Sequence, residues 1–161
     1  MKADLHFHPG GFFGPRYSHA KIGTLVDAAL RRDIEIVGIT SCHDLRYDNY
    51  RSQLENLSSD DEDSARKIFR INKDGKMVYF LDVQELKCAD GDINVICPGK
   101  VLRYSPFSKD MDCIAREARD LGALTSIGQP VKSAESVRRL LQEGLVDFFD
   151  RTGSYPAVFV G

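Results

Sequence analysis

No run of apolar residues approaches the roughly 20 needed to span a bilayer, and the chain meets charged Asp4 and His6 where an apolar signal core would begin. These absences argue against a membrane partner and against secretion, so the expected compartment is the cytoplasm. Cysteine is sparse as well: Cys42, Cys88, Cys97 and Cys113 form no CxxC pair and no dense framework, which speaks against a zinc ribbon or a disulfide scaffold and for reduced thiols. Neither sign of charge dominates. A net charge of -2 lacks the basic excess of a protein whose whole surface tracks nucleic acid or anionic lipid, and it leaves room for a local basic patch. Nor is there an internal repeat at a solenoid period or a low-complexity linker, apart from the acidic run Ser58-Ser59-Asp60-Asp61-Glu62-Asp63, read as a solvated turn.

What is present is enough apolar material for one core. With 161 residues, 42% of them hydrophobic, the expectation is a single domain over 1–161. Short apolar runs alternate with helical patterns, the mark of βα units and a mainly parallel sheet. Lys2 to Phe7 reads as the first strand and Ala20 to Arg32 as a helix with Ile22, Leu25, Val26, Ala29 and Leu30 on one face. Ile34 to Thr40 is nearly all apolar, as a strand covered on both faces should be. From Tyr47 to Arg70 we expect a helix, the acidic turn and a second helix, with a turn at Asn72-Lys73-Asp74-Gly75-Lys76. Met77 to Leu86 and Ile93 to Cys97 read as an antiparallel hairpin about Ala89-Asp90-Gly91. Met111 to Leu121 is a helix closed by Gly122, Ala123 to Ile127 a strand, Ser133 to Gln142 a helix capped by Ser133, and Leu145 to Phe149 a strand. Ala157 to Val160 opens another apolar segment.

The chemistry starts at Asp4-Leu5-His6-Phe7-His8. Side chains alternate along a strand, so His6 and His8 point to the same side and can grip one ion. Pro9-Gly10-Gly11 ends the strand, which puts the pair at its C-terminal end, where parallel α/β folds keep their active sites. Imidazole suits zinc, manganese or iron, and a catalytic site commonly adds a carboxylate while leaving a position for water. Glu85 is the candidate carboxylate. It ends the apolar strand Tyr79 to Leu86, where a charge is costly unless paired or metal-bound; the bland alternative is a strand-end carboxylate facing solvent. His43 and Asp44 follow the strand ending at Thr40, with a hydrogen-bonded loop histidine as the plain reading of His43. His19, just before a helix, reads as a surface residue. Asp4 is placed to orient the site rather than to bind the ion, as carboxylates behind ligand histidines commonly do. Arg46, Arg103 and Lys132 lie in loops after strands and are candidates for holding a substrate phosphate, although basic loop residues are usually only surface. Cys42 beside His43 alternates away and reads as a small packed residue.

Taken together, these residues resemble the polymerase and histidinol phosphatase (PHP) domain family. Asp4-Leu5-His6-Phe7-His8 matches its first motif, and Ile36-Val37-Gly38-Ile39-Thr40-Ser41-Cys42-His43-Asp44 looks like its second. Glu85 stands where the family's bridging glutamate would be. Gly122-Ala123-Leu124-Thr125-Ser126-Ile127-Gly128-Gln129-Pro130 is similar to its Gly-Gly-apolar strand ending in Ala-His-Pro. The resemblance implies a distorted (β/α) barrel that holds up to three metals at its C-terminal rim and hydrolyses phosphate esters through a metal-activated water. His6, His8 and Glu85 would hold the first metal, and His43 would contribute to another.

This sequence also departs from the family. Ser41-Cys42 replaces an aspartate with one residue extra, Asn94 stands in a histidine's place, and Gln129 occupies the histidine position before Pro130. A carboxamide is a weak ligand for transition metals beside imidazole, so one divalent ion (Zn, Mn or Fe) is expected more than two or three. The family's final Asp-x-His strand would come where Phe159-Val160-Gly161 stands last; we expect either a truncated chain or a shortened member, its incomplete barrel leaving an open edge suited to pairing with a second copy.

The expected function is therefore a metal-dependent phosphoesterase, with a phosphorylated small molecule or a nucleotide as substrate and nucleic acid left open. In it a divalent metal activates water and neutralises a phosphoryl oxygen, while His43 protonates the leaving group and Asp4 orients the site. Two alternatives draw on the same residues. One is a degenerate domain with a regulatory or interaction role. The other is an amidohydrolase-like enzyme, which opens with the same HxH but needs further histidines and a late aspartate.

Overall fold

The computed structural model describes residues 2–8, 22–42, 54–56, 68–96, 102–128 and 132–149. Its elements run β1 (Ala3–Phe7), α1 (Ile22–Arg31), β2 (Ile36–Cys42), β3 (Ile68–Lys73), β4 (Lys76–Lys87), β5 (Asp92–Ile96), α2 (Met111–Asp120), β6 (Leu124–Ile127), α3 (Ala134–Gln142) and β7 (Phe148–Phe149). Among the described residues, seven strands form one sheet in the order β1-β2-β4-β5-β6-β7, with β3 also paired to β4. The sheet is curled like half of a barrel.

The long strand β4 sets this order. Its length lets it take parallel β2 on one side, and on the other side first antiparallel β3 and then antiparallel β5. Strand β5 pairs antiparallel with β6, while β1 with β2 and β6 with β7 are parallel. The expectation of a mainly parallel sheet is corrected here: three of the six pairings are antiparallel. The cause lies in two tight turns. Asp74 and Gly75 both adopt positive φ, 53° and 76°, as a two-residue hairpin turn requires. Gly91, with φ 159°, lies in the turn from β4 to β5.

The first of these turns also exposes a missed strand. Residues 68–70, expected to end a helix, belong to β3, where Phe69 and Ile71 are buried while Arg70 and Asn72 are exposed. That period of two places Phe69 opposite Phe80 and Ile71 opposite Val78. Strand β2 lies two residues later than expected, and the last strand shrinks to Phe148–Phe149. Leu145, expected to open that strand, instead packs into the core.

Two apolar clusters lie on the helix-covered face of the sheet. In the first, Ile22, Val26 and Ala29 of α1 pack against Val37, Ile39, Phe69, Ile71, Val78 and Phe80, with Leu54 from a helical turn at 54–56. In the second, Met111, Ile114, Ala115 and Ala118 of α2 and Leu140 of α3 cover Leu86, Ile93, Val95 and Ile127. The spacing of the α2 residues makes one helical stripe, and each large aliphatic side chain buried this way contributes about 1.5–3 kcal/mol. Asp110 makes no side-chain cap for α2; Asp90 Oδ1 accepts from the Met111 N–H at 2.9 Å instead. Ser133 caps α3 as expected, its Oγ accepting from Ser136 N–H at 3.2 Å. Gly122 ends α2 with φ 69°, a conformation costly for any side chain bearing a Cβ. Among the described residues, no helix is long and apolar enough to cross a membrane.

Because the helices cover one face, polar residues are left on the other. Strand alternation assigns Glu85 and Lys87 to that face, and the pairings add Asn94 opposite Glu85, Asp92 opposite Lys87 and Ser126 opposite Asn94.

Candidate metal centre

Strand β1 carries an irregularity that aims its histidines. Asp4 pairs with Val37 and Phe7 with Ile39, so three steps along β1 match two along β2. Such a bulge re-aims side chains. Phe7 thereby packs with the core under α1, while His6 and His8 face the polar side. Two features hold the bulge. Asp4 Oδ1 accepts a hydrogen bond from His6 N–H at 3.3 Å. Gly38 lets β1 come close: a Cβ there would lie 2.5 Å from the Leu5 carbonyl oxygen.

The result is a compact donor set. The Nε2 atoms of His6 and His8 are 2.8 Å apart, and the rings meet edge to face with centroids 4.7 Å apart. Glu85, only 1% exposed, brings Oε1 within 3.8 Å of His6 Nε2 and Oε2 within 3.5 Å of His8 Nε2. One ligand atom from each of the three residues lies within 4.8 Å of the others. Two imidazoles and one carboxylate are the donors of a site that keeps a position for water. Around an ion with nitrogen bonds near 2.0–2.1 Å two tetrahedral nitrogens stand about 3.3 Å apart, so the rings part by roughly half an ångström to admit one.

The protonation states suit that use. Burial pushes the His8 imidazole below its ordinary value, against the opposing pull of Glu85, with His6 and Lys87 adding to the lowering. A hydrogen bond from His8 to the Thr40 backbone holds the ring, leaving Nε2 toward Glu85. A neutral, oriented imidazole is what a metal requires.

A residue that sequence reasoning passed over completes the charge balance. Lys87 Nζ lies 3.0 Å from Glu85 Oε1 and 2.6 Å from Asp92 Oδ2. Burial works to lower the Lys87 pKa, but its bonds to Asp92 and Glu85 outweigh it and the value is raised. Burial raises the Asp92 carboxyl, more than the Lys87 bond lowers it. The overlooked signal was Glu85-x-Lys87, a strand spacing that puts both charges on one face.

The other expected site residues divide. Asn94 is buried beside Glu85 across the β4–β5 pairing, and its Nδ2 donates to Ser126 Oγ at 3.3 Å. Asp4 touches the His6 main chain rather than the donor cluster. Lys132 is exposed, its ammonium 4.5 Å from the centroid of the Phe107 ring, and its charge is felt at Asp92. Arg103 is exposed next to Leu102, whose backbone is tied to Gln84 on the helix-covered side of β4, so it is not gathered into the cluster. His19, His43, Arg46 and Gln129 lie outside the described residues. Cys88 and Cys113 are free thiols; Cys88 is buried, and that burial pushes its pKa up to about 12.

No protein-family model matches the sequence, and no curated protein matches it significantly. Solved structures do share its fold. PsfC from Pseudomonas syringae superposes with a TM-score of 0.57 at 16% identity over 86% of this chain. The lesion-specific endonuclease EndoQ from Pyrococcus furiosus superposes with a TM-score of 0.56 at 16% identity over 91% of this chain. The matches span 63% and 40% of those two chains. At this identity the likeness is one of fold alone: the mixed α/β half-barrel of this chain superposes on part of each of those two proteins.

Proposed function

We propose that this chain is a metal-dependent phosphoesterase of the PHP type, acting on phosphate esters of a small molecule, a nucleotide or a nucleic acid. The observation that carries the proposal is the convergence of His6, His8 and buried Glu85 within 4.8 Å on the polar face of a half-barrel. The sequence motif Asp4-Leu5-His6-Phe7-His8 and the fold shared with a lesion-specific endonuclease both support this reading. A divalent ion bound by these three residues would supply an acidified water and positive charge for a phosphoryl oxygen.

The remaining steps fall to the protein's own groups. His6 and His8 would give their Nε2 lone pairs to such an ion, and Glu85 would contribute the negative charge that favours a cation. Asp4 keeps His6 in place through its main chain, and the Thr40 backbone does the same for the His8 ring. His43, next in sequence to Cys42, which pairs with Glu85, is assigned the proton for the leaving oxygen. Lys132, exposed near Asp92, is the basic group best placed to meet a substrate phosphate.

The test is elemental analysis after purification without chelator, together with phosphodiester and phosphomonoester assays in added manganese or zinc. The wild type is expected to carry metal and hydrolyse one ester class, and the His6→Ala/His8→Ala double variant to lose both. A folded wild type that neither binds a divalent ion nor cleaves any ester would leave the non-catalytic binding module as the surviving reading, which Asn94, an amide beside Glu85, also favours. Hydrolysis of amides or lactones but not phosphate esters would move the chain to the amidohydrolase-like class.

A further inference from the structure

Glu85 has two carboxylate oxygens with different company. Oε2 lies 3.5 Å from His8 Nε2. Oε1, 3.8 Å from His6 Nε2, is only 3.0 Å from the ammonium of Lys87. That ammonium also lies 2.6 Å from Asp92 Oδ2, and the Glu85 and Asp92 side chains are 1% and 2% exposed. Two nearly buried carboxylates therefore share one cation supplied by the chain. Two buried carboxylates that are both charged are strongly disfavoured without a cation, and the Lys87 ammonium is the cation that stands between these two.

We propose that Lys87 is a resident cation that takes the place of a second metal ion, making this centre mononuclear. The inference rests on the reading of His6, His8 and Glu85 as ligands of a first ion, and it adds what limits the count. A second divalent ion held by Glu85 Oε1 and Asp92 Oδ2 would sit where Lys87 Nζ now does. The surrounding donors would otherwise welcome it. Two carboxylates with the Asn94 side chain beside them offer oxygen ligands of the kind that suit manganese or magnesium. The lysine excludes that ion by charge and by occupancy. Its position follows from strand geometry: residues 85 and 87 share a face of β4, and Asp92 is the residue paired with Lys87 on β5.

The experiment counts ions. Manganese is titrated into metal-free protein, bound metal is measured after gel filtration, and the frozen samples are examined by electron paramagnetic resonance. Wild type and Lys87→Arg are expected to saturate at one manganese per chain with an isolated-ion spectrum. Lys87→Met and Lys87→Gln keep much of the side-chain length without the charge. They are expected to be destabilised when metal-free, to regain melting temperature in manganese, and to bind a second ion that gives an exchange-coupled signal. Two manganese ions in the wild type would overturn the inference while leaving the His6, His8 and Glu85 site intact, as would folded Lys87→Met and Lys87→Gln proteins that stay at one. A wild type that binds none would remove the metal reading itself. Should neither uncharged variant fold even in manganese, the inference fails, because a second ion is expected to replace the lost charge.

Discussion

The carbonyl oxygen of Leu5 lies over the bare Cα of Gly38, so close that a Cβ at that position would be 2.5 Å from it and 2.8 Å from Val83 Cγ2. The contact ties the bulged strand that carries both histidines to its neighbour. Gly38→Ala must push β1 outward or shift Val83. Overpacking of this kind costs about 1–3 kcal/mol, and the displaced strand moves His6 and His8 relative to Glu85. We expect a lowered urea midpoint together with weakened metal binding. Wild-type values for both would mean that the close approach does not position the donors.

Asp4 makes a different prediction, because its carboxylate reaches the donor cluster only through the main chain of His6. Asp4→Ala removes a charge-assisted bond worth about 1.5–3 kcal/mol at most and loosens the bulge. Metal affinity is expected to drop about 10-fold, the range seen when a group supporting a ligand is removed, while the number of bound ions stays the same. Loss of the ion altogether, with the fold intact by circular dichroism, would make Asp4 a ligand instead.

The two described thiols should separate by reactivity and by pH. Cys88 is buried, its Sγ directed at the Leu86 carbonyl, and its pKa is raised from 9.0 to about 12, whereas Cys113 is exposed. Thiolate, not thiol, reacts with alkylating reagents. Iodoacetamide at mildly alkaline pH should therefore label Cys113 in the native protein and leave Cys88 untouched until the chain is unfolded, as read by peptide mass spectrometry. Between 9.0 and about 12 the folded state holds the Cys88 proton that the unfolded state has released, so this contribution to stability is complete below 9.0 and is lost as pH rises. Lys87, whose pKa is also raised, acts in the same direction. Denaturation midpoints that rise with pH through this alkaline range would contradict both assignments.

Features that depend on near neighbours in the chain are legible in the sequence. The alternation of His6 and His8, the charge of Glu85 at the end of an apolar strand, the Ser133 cap and the Gly122 stop all obey rules spanning a few residues. Each appears where the pattern places it. The β4–β5 hairpin was legible for the same reason, since its turn and both strands are contiguous. Strand β3 shows where local reading falters. Its alternation of Phe69 and Ile71 is brief and follows a polar stretch, so the pattern up to Arg70 also fits the end of a helix, and only pairing with β4 selects the strand.

The sequence by itself determined that His6 and His8 share one face of a strand end, because the pleat has a period of two and needs no partner to express it. Only the tertiary structure decided which carboxylate meets them and which cation meets that carboxylate. Glu85 lies more than seventy residues along the chain and arrives through the pairing of β2 with β4, and Asp92 reaches Lys87 through the pairing of β4 with β5. Strand order and direction are set by which surfaces bury the most apolar area under the helices and by the turns that join the strands. The first of these is a property of the whole chain, and no local window of residues contains it.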